Sequence, residues 1–415
     1  MILKNILLPG GEKADIEIDG EKISSISKSS DPAEPRFTAI PGFYNCHTHL
    51  PMSLLRGYAD DLELMPWLQE HIWPAEAHLD AGIVRAGARL AILELIRSGT
   101  VFANDMYWYA PSVAEAAEEM GIRCAVSIQT IETGGPGSND PVNIAQNKLL
   151  EKYPRQASES KVFATLAPHA IYTVCEKSLR EIASRAKAED SFIHIHVSET
   201  AGEVAACRKE HEGRTPVKYL YDCGLLGPKT IMAHCVHLSD DDIKIIADTG
   251  AVAVENAQSN MKLASGMFPF NRAVEKGSIR FAIGTDGACS NNSLSMFAEM
   301  KTAALLAKIE SSNPTSGSAE TIFRAATKNG AEAFQINSGV IEEGALADIV
   351  LLKRSSLQFT PGFNTVSDIV YSADTSCVDT VICGGKVLMQ NGNIPGEDEI
   401  VRDAVEAAKK LVLRN

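Results

Sequence analysis

The chain opens with short runs whose apolar and polar residues alternate. Asp15-Ile16-Glu17-Ile18 and Lys22-Ile23-Ser24-Ser25-Ile26 read as strands, and Asp19-Gly20 between them is a hairpin turn signal. Ser30-Asp31-Pro32-Ala33-Glu34-Pro35 then marks a loop. From about residue 38 to 340 the pattern changes. Short apolar runs, mostly without proline, recur at 37–45, 101–105, 124–130, 162–167, 192–197, 230–233, 251–255 and 279–284. Runs that are apolar throughout fit parallel strands buried on both faces. Between them, 83–98, 112–120, 178–187 and 240–247 carry apolar residues at helical spacing, and Gly99, Gly121 and Gly250 stand where three helices should stop.

Eight strands alternating with helices predict an α/β fold, a (β/α)8 TIM barrel, with a doubly wound sheet as the competing arrangement. A helix is expected over 319–333, capped by Ser318. Strands return at Asp348-Ile-Val-Leu-Leu, at Asp379-Thr-Val-Ile-Cys and, after the turn Gly384-Gly385, at Lys386-Val-Leu-Met. A closed barrel has no edge for them, so they are expected to join the N-terminal strands in a small β-sandwich built from both chain ends. The expected division is 1–40 with 341–415 for the sandwich and 41–340 for the barrel, with an amphipathic helix over 397–413.

Composition narrows the function classes. The 415 residues carry a net charge of −14 and no cluster of Lys and Arg, which argues against a nucleic-acid partner. No apolar run approaches the roughly 18 residues of a membrane span, and Met-Ile-Leu-Lys-Asn is too short to begin a signal peptide. Nine scattered cysteines without a C-x-x-C pair read as reduced thiols, so a cytoplasmic protein is expected. The oligomeric state stays open; the strand-connecting helices would permit a homo-oligomer.

The chemistry collects at the ends of the predicted strands. His47-Thr48-His49 closes the first, and side chains two apart on a strand share a face. His169 follows the fourth, His196 and Glu199 end the fifth, His234 ends the sixth, and Asp286 lies just past the eighth. Five of the ten histidines thus stand where a barrel builds its active site. His194 shares a face with His196 deeper in the barrel and reads as a core histidine; His237 is out of phase with His234. Three histidines and an aspartate suit one divalent ion, with zinc first and ferrous or manganous ions also compatible.

Gly42-Phe-Tyr-Asn-Cys-His-Thr-His, His196-Val-Ser-Glu-Thr, Ala233-His-Cys-Val-His and Gly284-Thr-Asp-Gly-Ala-Cys-Ser-Asn-Asn together resemble the amidohydrolase superfamily. The resemblance is to the branch that holds 5-methylthioadenosine/S-adenosylhomocysteine deaminases and triazine chlorohydrolases, and it covers nearly the whole chain. It implies metal ligands at His47, His49, His196 and Asp286, an acid/base role for Glu199, and a polarising role for His234. It further implies substrate binding by His169 and by Glu76, which would meet ribose hydroxyls. Trp67 reads either as a pocket wall or as core. The fourth strand offers no lysine to bridge two metals, which favours a mononuclear site.

Two positions depart from the family pattern. Between Cys124 and Ala170 the only arginine is Arg155, where members that accept S-adenosylhomocysteine use arginines for its carboxylate. That favours 5′-deoxyadenosine, methylthioadenosine or adenosine as the substrate. Glu255 stands where adenosine-type members have histidine. A carboxylate there would either meet a ring rich in N–H donors, such as guanine, a pterin or a triazine, or bond a neighbouring backbone or Arg. The expected function is a metal-dependent hydrolytic deaminase of adenosine-type nucleosides. Deamination or dechlorination of another heterocycle, and an inactive metal-binding scaffold, are the alternatives.

Overall fold

The computed structural model describes residues 1–62, 64–132 and 141–412, without the side chains of 64, 65 and 141–143. The N-terminal strands are β1 (Ile2–Leu7), β2 (Lys13–Asp19), β3 (Lys22–Lys28) and β4 (Phe37–Pro41). The barrel strands are β5 (Phe43–His49), β6 (Thr100–Asp105), β7 (Arg123–Thr130), β8 (Val162–Pro168), β9 (Ile193–Val197), β10 (Thr230–His234), β11 (Val252–Glu255), β12 (Arg280–Ile283) and β13 (Asp286–Gly287). The C-terminal strands are β14 (Ile349–Lys353), β15 (Val378–Cys383) and β16 (Lys386–Met389).

The parallel sheet is a (β/α)8 barrel. Its order runs β12-β11-β10-β9-β8-β7-β6-β5-β13. β12 and β13 are two halves of one strand, interrupted at Gly284-Thr285. The first half pairs with β11 and the second pairs with β5, Asp286 opposite Thr48, so the last strand closes the ring onto the first. Asp286 is thereby delivered beside His47 and His49.

The chain ends form one seven-stranded sheet, ordered β16-β15-β14-β4-β1-β2-β3. It curls until Lys22 bridges Leu346, and Ile6, Ile16, Ile18, Ile23, Ile349, Leu351 and Ile382 fill the interior. The two layers expected from sequence are therefore one continuous sheet folded over its own core. β14 shows why this sheet and the barrel are inseparable. Ile349 and Leu351 face the curled sheet, while the alternate Val350 and Leu352 pack into the barrel core.

Two predicted elements are divided. The run 37–45 is β4 in one sheet and β5 in the other, with the break at Gly42. A Cβ there would lie 2.4 Å from Val101 Cγ1, so only glycine lets the chain cross between sheets at this point. The predicted helix 319–333 is two helices, Ala319–Ala326 and Lys328–Ala333, separated by Thr327. Thr327 Oγ1 donates to Phe323 O at 2.7 Å and its backbone leaves the helical region. Ser318 does cap the first, accepting from Thr321 N. The final helix spans Glu397–Val412; residue 413 lies outside the described residues. No helix among the described residues is long and apolar enough to cross a membrane, and all nine cysteines are free thiols.

Candidate active site

Four side chains from two strand ends, β5 and β9, and the closing half-strand β13 converge on one point. His47 Nε2 and His49 Nε2 each lie 3.2 Å from Asp286 Oδ1, and His196 Nε2 lies 3.3 Å from His49 Nε2. Each imidazole has its other nitrogen engaged. His47 Nδ1 meets His194 Nε2 at 2.8 Å, His49 Nδ1 donates to Met106 O at 2.5 Å, and His196 Nδ1 donates to His169 O at 2.8 Å. Protons held on Nδ1 leave the Nε2 lone pairs turned inward. Asp286 Oδ2 accepts from Ser259 Oγ (2.6 Å) and Ser290 Oγ (3.0 Å), so Oδ1 is the oxygen presented to the histidines.

These residues fit a divalent metal ion. His47 Nε2 is buried and makes no hydrogen bond of good geometry, although Asp286 Oδ1 is close. His47, His49 and His196 form one compact donor group, and His47, His234 and Asp286 form another. The cluster also attracts positive charge. Burial disfavours charge on His49, yet hydrogen bonding and charge from Asp286 raise it to about 9. Burial lowers His47 to about 4, keeping that ring neutral as a ligand must be. Imidazole and carboxylate donors are those of a catalytic zinc site.

Beside the cluster, His234 Nδ1 meets Asn260 Oδ1 at 2.8 Å and His234 Nε2 faces Glu199 Oε2 at 3.9 Å. Glu199 accepts from Ser265 Oγ at 3.3 Å, and burial raises its pKa above the usual carboxylate range. The turn that carries it is held by Glu203, which accepts from the backbone N–H groups of Ser198 (3.0 Å) and Glu199 (2.8 Å). Ser198, His234 and Asp286 all have positive φ, at 53°, 71° and 64°. Such conformations persist only where surrounding contacts enforce them, and here they mark the strand ends that aim the polar groups.

One cavity covers this cluster. Its wall includes Trp67, Glu76, Trp108, Gln129, Ile131, His169 and Tyr172. Trp67 is both core and wall, at 5% exposed. Glu76 Oε2 accepts from Trp108 Nε1 at 3.2 Å, and burial raises its pKa. His169 is anchored through Nδ1 to Thr173 Oγ1 at 2.9 Å, and burial lowers it to about 3, so it is neutral.

Glu255 is elsewhere, which corrects the expectation that it meets the substrate ring. It is 2% exposed, does not line the cavity, and has Glu299 and Glu310 of the outer helix Met296–Ser311 as its charged neighbours. Strand alternation is the reason. The next residue, Asn256, lies beside His234 Nδ1 (3.3 Å), so Glu255 faces the helices. Burial among like charges raises its pKa strongly. Sequence reasoning also missed the orienting partners. His194 is buried as expected, but it touches His47 of the cluster; the His194-Ile195-His196 spacing was the available signal. Ser259, Asn260, Ser265, Ser290 and Glu203 carried no signal, since serine and asparagine near strand ends are ordinary loop residues.

A barrel with a mixed histidine–aspartate cluster at its C-terminal rim defines a metal-dependent hydrolase type of fold. Residues 38–388 match the amidohydrolase family, and the chain belongs to that family. It is 43% identical over 412 residues to a 5′-deoxyadenosine deaminase of Methanothermobacter thermautotrophicus, covering 97% of this chain and 96% of that one. It is 42% identical to 5-methylthioadenosine/S-adenosylhomocysteine deaminase 1 of Archaeoglobus fulgidus, covering 99% of each chain. Among solved structures, an adenosine deaminase from Xanthomonas campestris with bound zinc superposes with a TM-score of 0.90 at 32% identity, covering 98% of both chains.

Proposed function

We propose that the protein hydrolyses the exocyclic amine of an adenosine-type nucleoside and releases ammonia. The observation that carries this reading is the placement of Glu199 and His234 next to the His47, His49, His196 and Asp286 cluster, at the base of a cavity whose wall holds the half-buried Glu76. The names of the relatives support the same substrate class.

His47, His49, His196 and Asp286 would hold one ion, with zinc proposed and ferrous or manganous ions compatible with the donors. When bound, such an ion makes hydroxide available near neutral pH by lowering the pKa of water. Lys161 precedes the fourth barrel strand and its Nζ pairs with Glu21, so it is not available to bridge a second metal.

The protein's own residues divide the proton transfers. Asp286 takes a proton from the attacking water while His234 holds the oxygen in line with the amine-bearing ring carbon. Glu199, whose hold on a proton is strengthened by burial, gives its proton to the adjacent ring nitrogen as the C–O bond forms. Asp286 then protonates the amine, the C–N bond breaks, and the hydroxyl proton returns to Glu199. Ammonia and the oxo-purine leave, with both carboxyl groups restored.

The cavity wall favours substrates without a terminal carboxylate. Arg155 is engaged by Glu151 (2.6 Å) and Glu189 (2.8 Å), and Gln129 and Ile131 occupy the wall. The proposed substrates are 5′-deoxyadenosine, methylthioadenosine and adenosine, with S-adenosylhomocysteine poorer. Glu255 facing the outer helices removes the observation that favoured guanine, pterin or triazine rings.

The test is ammonia release by zinc-loaded protein from those four nucleosides, guanine, a pterin and an aminotriazine. Release from the first three is expected, and no release from any adenosine derivative overturns the reading. Glu199→Gln should keep its zinc and lose roughly 10²–10⁴-fold in kcat; full activity in that variant rules out the proton route.

A further inference from the structure

The helix Met296–Ser311 packs outside the barrel, yet one of its carboxyl groups reaches two loops of the site. Glu299 is fully buried. Its Oε1 accepts from the backbone N–H of Gln258 (3.2 Å), and its Oε2 accepts from Gln258 Nε2 (2.9 Å) and Asn291 Nδ2 (3.1 Å). Gln258 lies in the short helix Ala257–Lys262 after β11, and Asn291 lies in the turn after β13.

Each loop carries groups that aim the cluster. Next to Gln258, Ser259 donates to Asp286 Oδ2 at 2.6 Å and Asn260 meets His234 Nδ1 at 2.8 Å. Asn291 Nδ2 also donates to Thr285 O at 2.8 Å, fixing the peptide that enters Asp286, and Ser290 beside it donates to Asp286 Oδ2 at 3.0 Å. Asp286 and His234 both hold positive-φ conformations that need such enforcement.

We infer that Glu299 is a positioning residue. It ties the loop after β11 to the loop after β13, and this holds Asp286 Oδ1 toward His47 and His49 while His234 faces Glu199. The inference rests on reading this cluster as the catalytic centre. A carboxyl suits the task because both oxygens can accept. Glutamine fills the same volume but turns an NH2 group toward one set of donors, so one link must break.

The experiment compares full-length wild type with Glu299→Gln, Gln258→Met and Asn291→Leu. Zinc affinity is measured against a competing chelator, and kcat and KM are measured with 5′-deoxyadenosine. Glu299→Gln should lose roughly 10–100-fold in zinc affinity and in kcat, with KM changed by less than about threefold, since the cavity wall is untouched. Asn291→Leu, which cuts the arm to the second loop, and Gln258→Met, which removes the side-chain bond to the first and leaves its backbone bond, should show smaller losses in the same two quantities. Wild-type zinc affinity and kcat in Glu299→Gln, or a loss confined to KM, overturns the inference. If Glu299→Gln does not fold, the other two variants decide, and wild-type values in both overturn it. Wild type that releases no ammonia defeats the deaminase reading alone; the zinc-affinity comparison still judges the clamp.

Discussion

His194 Nε2 lies 2.8 Å from Nδ1 of His47, and both rings are fully buried at the centre of the barrel. Burial keeps His194 neutral, so its Nε2 can accept the Nδ1 proton of His47. That fixes the tautomer that turns the His47 Nε2 lone pair toward Asp286. His194→Phe, which keeps a ring and removes the acceptor, should weaken zinc binding by roughly 10–100-fold. Chelator competition reads the affinity, and an unchanged far-ultraviolet dichroism spectrum separates the effect from unfolding. Unaltered affinity would show that His194 is core packing only.

Glu76 has one oxygen on Trp108 Nε1, which braces the carboxyl at the cavity wall. If it binds ribose hydroxyls, Glu76→Gln costs about 1.5–3 kcal/mol, a hydrogen bond to a charged group. That is a fall of roughly 10–100-fold in kcat/KM for adenosine. A 2′,3′-dideoxy substrate should be almost indifferent to the change. Equal losses on both substrates would place Glu76 elsewhere in function.

Glu203 gives a pH signature. Burial raises it from 4.5 to about 7, while its bonds to the Ser198 and Glu199 N–H groups lower it by less. Below about 4.5 it is protonated in both folded and unfolded chains and contributes no pH dependence. Between about 4.5 and 7 the unfolded chain loses this proton first, so stability falls as pH rises; above 7 the penalty is constant. A gap of that size costs on the order of 3 kcal/mol. Glu203→Gln should therefore flatten the decline of unfolding free energy over that window in urea titrations. The variant should also lose kcat, because glutamine accepts with one oxygen where the turn uses two.

Asp348 joins the two sheets. Its Oδ2 pairs with Arg123 Nε at 3.1 Å and accepts from Ser338 Oγ at 2.8 Å, while its Oδ1 accepts from Gly384 N at 2.6 Å. Both members of the ion pair are buried. Asp348→Ala leaves the Arg123 guanidinium buried without its partner, which should cost about 3–5 kcal/mol. Denaturant unfolding measures it. A cost near 1 kcal/mol would mean that water reaches Arg123 in the variant.

Much of this architecture can be read from the chain because buried parallel strands leave an unmistakable record. Val162–Pro168 is apolar but for Thr165 and is followed by His169, while Ile193–Val197 alternates apolar residues with His194 and His196, and both His169 and His196 reach the site. The split at Gly42 could not be read, since Phe37-Thr-Ala-Ile-Pro and Phe43-Tyr-Asn-Cys are equally strand-like and the boundary is set by Val101 against the glycine. The helix break at Thr327 escaped for a similar reason. Threonine is tolerated in helices, and only its bond to Phe323 O and the packing of the next turn reveal the interruption.

Spacing along the chain was enough to gather His47, His49, His196 and Asp286 as one cluster, because histidine spacing on a strand and the strand-end positions follow from backbone geometry that every barrel shares. The sequence by itself also determined the family. The direction of Glu255, the grip of His194 on His47 and the reach of Glu299 to Gln258 and Asn291 were decided only in three dimensions. These depend on which face of β11 a residue takes and on which loops an outer helix meets when the ring closes through β13. Such contacts join residues up to 147 positions apart, and local spacing carries no record of them.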